Sequence, residues 1–169
     1  MEVCYMASFF PITGTISQIE PMQSSANNWC GCSLLVSIMT TYQGMVNLVV
    51  TPYTYIYNQE PLQTGDSITA YYDASAPAPL IYPPQYRVTA IVKDMENRMT
   101  DFGYYDENLM NAGGTLQLDP SDSTVVTYPN GQTFSGSPAN HYLLVIYSTT
   151  TRSIPAVTEP SAIIVFCCA

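Results

Sequence analysis

Two stretches of the chain share one layout: an apolar strand pattern, an arm that carries prolines, and a second apolar strand pattern. The first covers residues 68–92 and the second, a weaker copy, covers residues 142–166. Because proline fixes φ and lacks an N–H donor, it is excluded from the centre of a sheet. Each stretch is therefore predicted to be two strands joined by an extended arm. The shared order and spacing favour an internal duplication over a chance likeness between two β-hairpins.

The likeness extends upstream of both stretches, where residues 54–62 align with residues 124–134. The first arm is the richer in proline. Since X-Pro bonds are the usual place for cis peptides, Pro83 or Pro84 is a candidate for one.

Three further strand patterns precede the first hairpin, at residues 9–19, 33–39 and 46–50. Gly14 lies inside the first of them, where a glycine marks a sharp bend. A bent first strand is what a small closed barrel requires. We therefore predict an all-β protein of two OB-like β-barrel halves related by internal duplication. The first half would be residues 1–93, and a second, shortened half at residues 94–169 would pack on it.

The first hairpin carries a Gly-Asp turn, a strand ending in Tyr-Tyr-Asp, and an arm with the run Ile-Tyr-Pro-Pro-Gln-Tyr. These residues are Gly65, Asp66, Tyr71, Tyr72, Asp73, Ile81, Tyr82, Pro83, Pro84, Gln85 and Tyr86. This segment resembles one found in uncharacterised proteins of Gram-positive anaerobic bacteria. The resemblance implies a duplicated OB-like domain and carries no activity with it. Some of those proteins also have a domain similar to the N-terminal domain of copper amine oxidases; this sequence has none, so nothing about copper is implied.

The chain has few charged residues, and most of them are acidic. Charged residues make up 10% of the chain, well below the ~25% of ordinary globular proteins. The net charge is −9, and the basic residues are Arg87, Lys93, Arg98 and Arg152. Four scattered cations cannot supply the phosphate contacts that nucleic acids need, and they disfavour an anionic membrane surface for the same reason. We therefore expect no nucleic acid and no membrane among the partners.

The sequence contains no run of about 18 apolar residues, the length of a membrane helix. Its first residues carry Glu2 and no basic residue, unlike the start of a signal peptide. A cytoplasmic location is the default expectation, and a secreted protein trimmed of its leader would look the same.

Residues that ligate metals are few. The five cysteines are Cys4, Cys30, Cys32, Cys167 and Cys168, and His141 is the single histidine. Paired thiolates suit Zn or Cu(I), but the C-x-C spacing favours packed or incidental thiols. The pair Asp119 and Asp122 is read as turn residues rather than as a Ca²⁺ site. We expect neither metal nor cofactor.

Motifs of catalysis are also missing. His141 would have to be the base of any Ser-His-Asp arrangement, and no G-x-S-x-G element accompanies it. The sequence has no P-loop, no G-x-G-x-x-G and no H-E-x-x-H. A glycosidase pair stays open, because two carboxylates can meet only in the fold.

Aromatic residues are the remaining functional signal, since tyrosine combines an apolar face with a hydroxyl that tolerates water. The candidate ligand-binding residues are Trp29, Tyr53, Tyr55, Tyr57, Tyr72, Tyr82 and Tyr86. Tyr53, Tyr55 and Tyr57 would share one face of a strand. The alternatives are cross-strand tyrosine pairs that cover the sheet and, for Trp29, a lid over one end of the barrel. We predict a non-catalytic module that binds a peptide, a protein or a glycan. A structural or assembly subunit, including a homo-oligomer, is the alternative, and an enzyme comes third.

Overall fold

The structure is a computed structural model that describes residues 7–22 and 31–167. Of these residues, 7–94 form one compact unit, here called the barrel unit, and 95–167 form another, the sheet unit. The barrel unit contains β1 (Phe9–Pro21), β2 (Leu34–Thr40), β3 (Gly44–Val50), β4 (Tyr55–Ile56), a 3₁₀ turn (Tyr57–Gln59), β5 (Ser67–Asp73) and β6 (Gln85–Lys93). The sheet unit contains β7 (Met99–Tyr105), β8 (Leu116–Leu118), β9 (Val125–Thr127), β10 (His141–Tyr147), β11 (Ala156–Thr158) and β12 (Ala162–Phe166). The predicted all-β class is confirmed.

Five strands of the barrel unit form a closed barrel. β1 pairs with β2 and with β5, β2 pairs with β3, and β5 pairs with β6, all antiparallel. A parallel pairing of β3 with β6 closes the ring. The short strand β4 also runs parallel to β6. The barrel predicted for the first half of the chain is thus confirmed.

β1 pairs with two neighbouring strands, and it changes partner at Gly14. The residues from Phe9 to Thr15 pair with β5, and those from Gly14 onward pair with β2. A Cβ atom at Gly14 would lie 2.7 Å from the backbone carbonyl oxygen of Met39 in β2, closer than Cβ atoms approach other atoms. Only glycine therefore lets these two backbones come so near.

Alternating side chains fill the barrel. The buried cluster consists of Ile12, Ile16, Val36, Ile38, Val46, Leu48, Val50, Ile68, Ala70, Val88 and Ile91. Most are β-branched residues, which suit a half-buried pleated surface. The alternation shifts on β6, where an irregularity of register beside Tyr71 and Tyr72 places both Val88 and Ile91 inside. This is the local signature of a β-bulge.

The sheet unit is built on the second hairpin. β10 lies between β7 and β12, antiparallel to both, and β9 joins the other edge of β12 in parallel. A separate pair, β8 with β11, is also parallel. Its buried cluster is Tyr105, Leu116, Leu118, Leu143, Val145, Ile163 and Val165. A shortened barrel was expected here, but the pairings among the described strands of residues 95–167 form no ring, because no hairpin corresponds to β2 and β3.

Both units contain the same hydrogen-bonded turn ahead of a short parallel strand. In the barrel unit, Thr51 N–H donates to Thr54 Oγ1 over 3.0 Å, and Thr54 N–H donates back to the Thr51 carbonyl over 3.0 Å. In the sheet unit, Ser121 N–H donates to Thr124 Oγ1 over 3.1 Å, and Thr124 N–H donates to the Ser121 carbonyl over 3.0 Å. These are the two threonines that the sequence aligned.

The same threonine hydroxyls tie each turn to its hairpin. Thr54 Oγ1 donates to the carbonyl of Val88 over 3.0 Å, and Thr124 Oγ1 donates to the carbonyl of Pro160 over 2.7 Å. In both units, the parallel pairing begins two residues after the residue whose carbonyl accepts this hydrogen bond. It begins at Ala90 in the barrel unit and at Ala162 in the sheet unit. One hydroxyl therefore accepts within the turn and donates across to the return strand in each unit.

The arms of the two hairpins differ. Residues 74–84 form the first arm without a strand, whereas the second arm includes β11. Each arm has one cis peptide bond, Tyr82–Pro83 in the first, where one was anticipated, and Ile154–Pro155 in the second. Residues 94–98 connect β6 to β7 and contain a turn. Among the described residues, no helix has the length and hydropathy to cross a membrane.

Candidate binding cleft

Residues of the barrel unit line a cleft of about 860 Å³. Its walls come from the start of β1, the junction of β1 and β2 at Met22 and Ser33, the end of β5, the first arm and the start of β6. The volume falls within the ~300–1,000 Å³ of small-molecule sites. The cleft is therefore large enough to hold a few residues of a polymer.

Three aromatic side chains line one part of the cleft. Tyr72 and Tyr86 pack with their ring centroids 4.4 Å apart and their planes tilted by 34°. Phe10 meets Tyr72 edge-on at 6.4 Å and is 52% exposed. The antiparallel register places Phe10 directly opposite Tyr72. Tyr72 and Tyr86 also pack against the barrel core, so the aromatic cluster rests on a fixed base.

Burial raises the pKa of the Tyr72 hydroxyl, and the neighbouring Tyr86 raises it further. The phenol of Tyr72 therefore stays protonated at neutral pH. A protonated phenol both donates and accepts hydrogen bonds, which suits contact with hydroxyl groups of a ligand.

Asp73 fixes the start of the arm beside these rings. Its Oδ1 accepts hydrogen bonds from Ser8 N–H at 3.2 Å, Ser75 N–H at 2.9 Å and Ser75 Oγ at 2.6 Å. Partial burial raises the pKa of the Asp73 carboxyl, but the hydrogen bonds from Ser75 and Ser8 outweigh it and hold that pKa below its ordinary value. Asp73 is therefore ionised at neutral pH and holds the arm at the rim of the cleft.

Gln85 and Arg87 supply the remaining planar polar groups of the cleft. Both belong to β6, and the parallel register places them opposite Asn47 and Val49 of β3. Amide, carboxylate and guanidinium groups thus line the same cleft as the aromatic rings. This combination can hydrogen-bond a polar ligand while its apolar face packs on the rings.

Of the predicted ligand-binding residues, Tyr72 and Tyr86 come together in this cleft. Tyr53 and Tyr82 are 93% and 85% exposed and lie outside its lining. Trp29 lies outside the described residues. The structure thus gathers two of the seven predicted residues at one place.

Tyr53, Tyr55 and Tyr57 do not alternate along one strand face, contrary to the sequence-based prediction. Tyr53 lies in the turn before β4, Tyr55 lies in β4, and Tyr57 begins the 3₁₀ turn. The turn before β4 is closed by a threonine hydroxyl, so β4 has only two residues. Such a short strand cannot place three alternating tyrosines on one face. Burial raises the pKa of Tyr55 to about 12, with Tyr57 adding to the rise and a backbone hydrogen bond of Asn58 opposing it.

Sequence reasoning missed Phe10, Asp73 and Arg87 as members of the site. Phe10 has a signal in the sequence, since it stands in the first strand that pairs with the hairpin. Asp73 also has one, because an aspartate at a strand end followed by Ala-Ser favours a turn closed by its side chain. No signal in the sequence indicates Arg87, because its position in the cleft depends on the pairing of β3 with β6.

The other candidate groups do not assemble into a site in the described part of the chain. His141 contacts the carbonyl of Ala139 through Nδ1 at 2.8 Å and packs against the ring of Phe134. Cys32 and Cys167 are exposed, and the remaining cysteines lie outside the described residues. Within residues 7–22 and 31–167, no group of three metal-ligating side chains comes together.

Comparison with protein-family models, with curated proteins and with solved structures found no match to the chain. The resemblance to the proteins of Gram-positive anaerobes therefore stays a prediction.

Proposed function

We propose that the barrel unit is a non-catalytic binding module and that its ligand is a glycan segment lying in the cleft. The observation that carries the proposal is the aromatic cluster of Phe10, Tyr72 and Tyr86 beside the planar polar groups of Asp73, Gln85 and Arg87. Sugar rings present apolar C–H faces that pack on aromatic rings, and hydroxyls at their edges that pair with such polar groups. The sequence also left peptides and proteins open as ligands.

The strand order supports an OB-like identity for the barrel unit. Three antiparallel strands are followed by a hairpin whose second strand runs parallel to β3. OB-folds bind oligosaccharides and oligonucleotides beside the loops between their first two and last two strands. The cleft lies between the corresponding segments here, since Met22, Ser33 and the first arm line it. Two cations in the whole unit, Arg87 and Lys93, argue for the sugar rather than the nucleic acid.

The sheet unit is proposed to be an abbreviated copy of the same fold. The repeated turn, its bond to the return strand and the parallel strand after it support a duplication. The aromatic cleft lies in the barrel unit, so binding is assigned to that unit.

A binding role rather than hydrolysis follows from the carboxylates of the cleft. Hydrolysis of glycosidic bonds usually needs two carboxyl groups, one of them held protonated. Asp73 is the one carboxylate among the described residues that line the cleft, and its lowered pKa keeps it ionised.

An assembly role is the second candidate, because the first arm exposes three consecutive apolar side chains. Leu80 is fully exposed, Tyr82 is 85% exposed and Ile81 is 52% exposed. Adjacent exposed apolar groups of this kind occur at protein–protein contacts. Sedimentation velocity of wild type and of Leu80→Ser tests this role: a concentration-dependent oligomer that the substitution dissolves would favour assembly.

Glycan and peptide arrays test the proposed function directly. Wild type is compared with Tyr86→Leu and Phe10→Ala, and with Tyr53→Leu as a matched exposed control outside the cleft. Leucine keeps apolar volume but removes the ring face, and stacking on an aromatic ring contributes about 1–1.5 kcal/mol, so we expect about tenfold weaker glycan binding in both cleft variants. The control should bind like wild type.

Thermal unfolding of each variant shows that it is folded before binding is compared. Phe10 is half-exposed, so Phe10→Ala remains informative even if Tyr86→Leu fails to fold. Binding to peptides alone, or to nothing, would contradict the proposal.

A further inference from the structure

The cleft holds one cation, Arg87, and the structure leaves it without an acidic partner. The other cation of the barrel unit, Lys93, forms an ion pair with Asp66 through Nζ and Oδ2 at 3.0 Å. Arg87 is exposed and lines the cleft, and it forms no ion pair with any carboxylate that the structure describes. In a chain with 13 acidic and four basic side chains, an unpaired arginine at a cleft is a feature to explain.

Asp73, the carboxylate of the cleft, forms no ion pair with Arg87. Asp73 and Arg87 follow the last ladder pair of the hairpin, Tyr72 with Val88, so they flank its open end. Three hydrogen bonds from Ser8 and Ser75 hold Asp73 Oδ1 at the start of the arm. The guanidinium therefore remains available on the wall of the cleft.

Arginine is the side chain best suited to a carboxylate. Its planar fork presents parallel N–H donors that match the two oxygens, and such bidentate pairs are stronger than neutral hydrogen bonds. The rings of Tyr72 and Tyr86 lie in the same cleft and reduce the water around a bound group. Because Arg87 and these rings line the same cleft, a ligand that fills the cleft can contact both.

The charge of the barrel unit limits how many carboxylates a ligand can carry. Residues 7–94 contain two cations against five carboxylates, which are Glu20, Glu60, Asp66, Asp73 and Asp94. A ligand with a charge on every sugar would meet this negative field along its length. One isolated carboxylate next to Arg87 would not.

We infer that the cleft selects a glycan carrying one isolated carboxylate, such as a single uronic acid in an otherwise neutral chain, and that Arg87 pairs with that carboxylate. This inference rests on the proposed function and adds the class of ligand. It makes Arg87 the specificity-determining residue of the cleft.

The test is a glycan array printed in triplets. Each neutral glycan is accompanied by a version with one terminal sugar oxidised to a uronic acid and by a version oxidised at every sugar. We expect wild type to bind the singly acidic member about tenfold to a hundredfold more tightly than the neutral one, the range for a hydrogen bond to a charged group. The fully oxidised member should bind less tightly than the singly acidic one.

Arg87 variants assign the preference to this side chain. Arg87→Gln should lose the preference for the acid over the neutral member, whereas Arg87→Lys should keep part of that preference. Arg152→Gln, an exposed arginine of the sheet unit, is the matched control and should behave like wild type.

Two results would overturn the inference while leaving the proposed function intact. One is equal binding of neutral and singly acidic members in every triplet that binds, and the other is a preference for the acid that survives in Arg87→Gln. Absence of binding to all triplets would overturn the inference and the proposed function together.

Discussion

The barrel unit and the sheet unit share a hairpin and a turn, yet only the first closes into a barrel. In both, a threonine hydroxyl closes a four-residue turn and bonds to the return segment of the hairpin. The difference lies in the strands before the hairpin, because the sheet unit has, among its described strands, no counterpart of β2 and β3 and its first strand is shorter. β1 has 13 residues and pairs with two neighbours, whereas β7 has seven and pairs with β10 along its whole length.

We infer that the hairpin and the turn set the strand order that the two units share. Closure of the barrel depends in addition on a long first strand that can change partners. The change of partner requires close contact between β1 and β2, which Gly14 permits. Gly103 occupies β7, where an added Cβ would meet nothing within 4 Å. Gly14 is therefore required for a close contact between strands, whereas Gly103 is not. Substitutions at the two positions test this difference between the units.

The largest expected effect is that of Gly14→Val. The new side chain would collide with the backbone of β2, so we expect a loss of about 3 kcal/mol in the free energy of unfolding, the upper part of the range for overpacking. Gly103→Ala is the control and should change stability by less than about 1 kcal/mol, because its Cβ enters open space. Urea unfolding at equilibrium measures both. Equal losses at the two glycines would contradict the role given to Gly14.

Removing the threonine hydroxyl from either of the two repeated turns should have a smaller effect on the free energy of unfolding, of equal size in the two units. Thr54→Val and Thr124→Val keep the side-chain shape but remove a hydroxyl that both accepts and donates a hydrogen bond. Each should lower the free energy of unfolding by about 1–2 kcal/mol, since backbone groups lose their partners.

Thr13→Val supplies the control for the turn variants, because its hydroxyl makes one long, exposed contact of 3.5 Å with Thr69. It should cost less than about 0.5 kcal/mol. A cost at one turn and none at the other would show that the repeated hydrogen bonds are not equivalent.

The smallest effect is a pH dependence that belongs to the barrel unit. β5 ends in Asp73, whose pKa is lowered by hydrogen bonds, whereas β10 ends in Tyr147, whose pKa is raised by burial and by Asp101. A lowered folded-state pKa means that the Asp73 contribution is fully present above the ordinary value of 3.8 and is lost as the pH falls below it. We expect Asp73→Asn to lose less stability than wild type on acidification through this window.

NMR titration of the Asp73 carboxyl carbon provides the matching direct measurement. Its pKa should lie below 3.8 in wild type and rise towards that value in Ser75→Ala, which removes one of the three donors. Titration of Asp73 at or above 3.8 in wild type would contradict the assigned hydrogen bonds.

Much of the fold could be predicted because its signals are local. Alternating β-branched residues mark the hairpins, and Gly14 marks the point where the first strand changes partners. The alignment of residues 54–62 with 124–134 paired Thr54 with Thr124, but it did not predict the hydrogen-bonded turn that each of them closes. The open form of the sheet unit was harder to predict, because it depends on which strands are missing rather than on those present.

The cleft could be predicted only in part because its members meet through pairings distant in sequence. Phe10 reaches Tyr72 through the register of β1 with β5, and Arg87 is placed by the pairing of β3 with β6. Tyr53 was misplaced on a strand face for the opposite reason, since a side-chain hydrogen bond of Thr54 overrides the local β pattern.

The most direct test of the binding cleft is a ¹⁵N–¹H NMR titration of wild type with the array glycans at millimolar concentration. We expect amide shifts at Phe10, Tyr72, Asp73, Tyr86 and Arg87 and at the non-proline residues of the first arm between residues 74 and 78. Shifts confined to residues 99–166, or no shifts with any glycan, would contradict a glycan-binding cleft in the barrel unit.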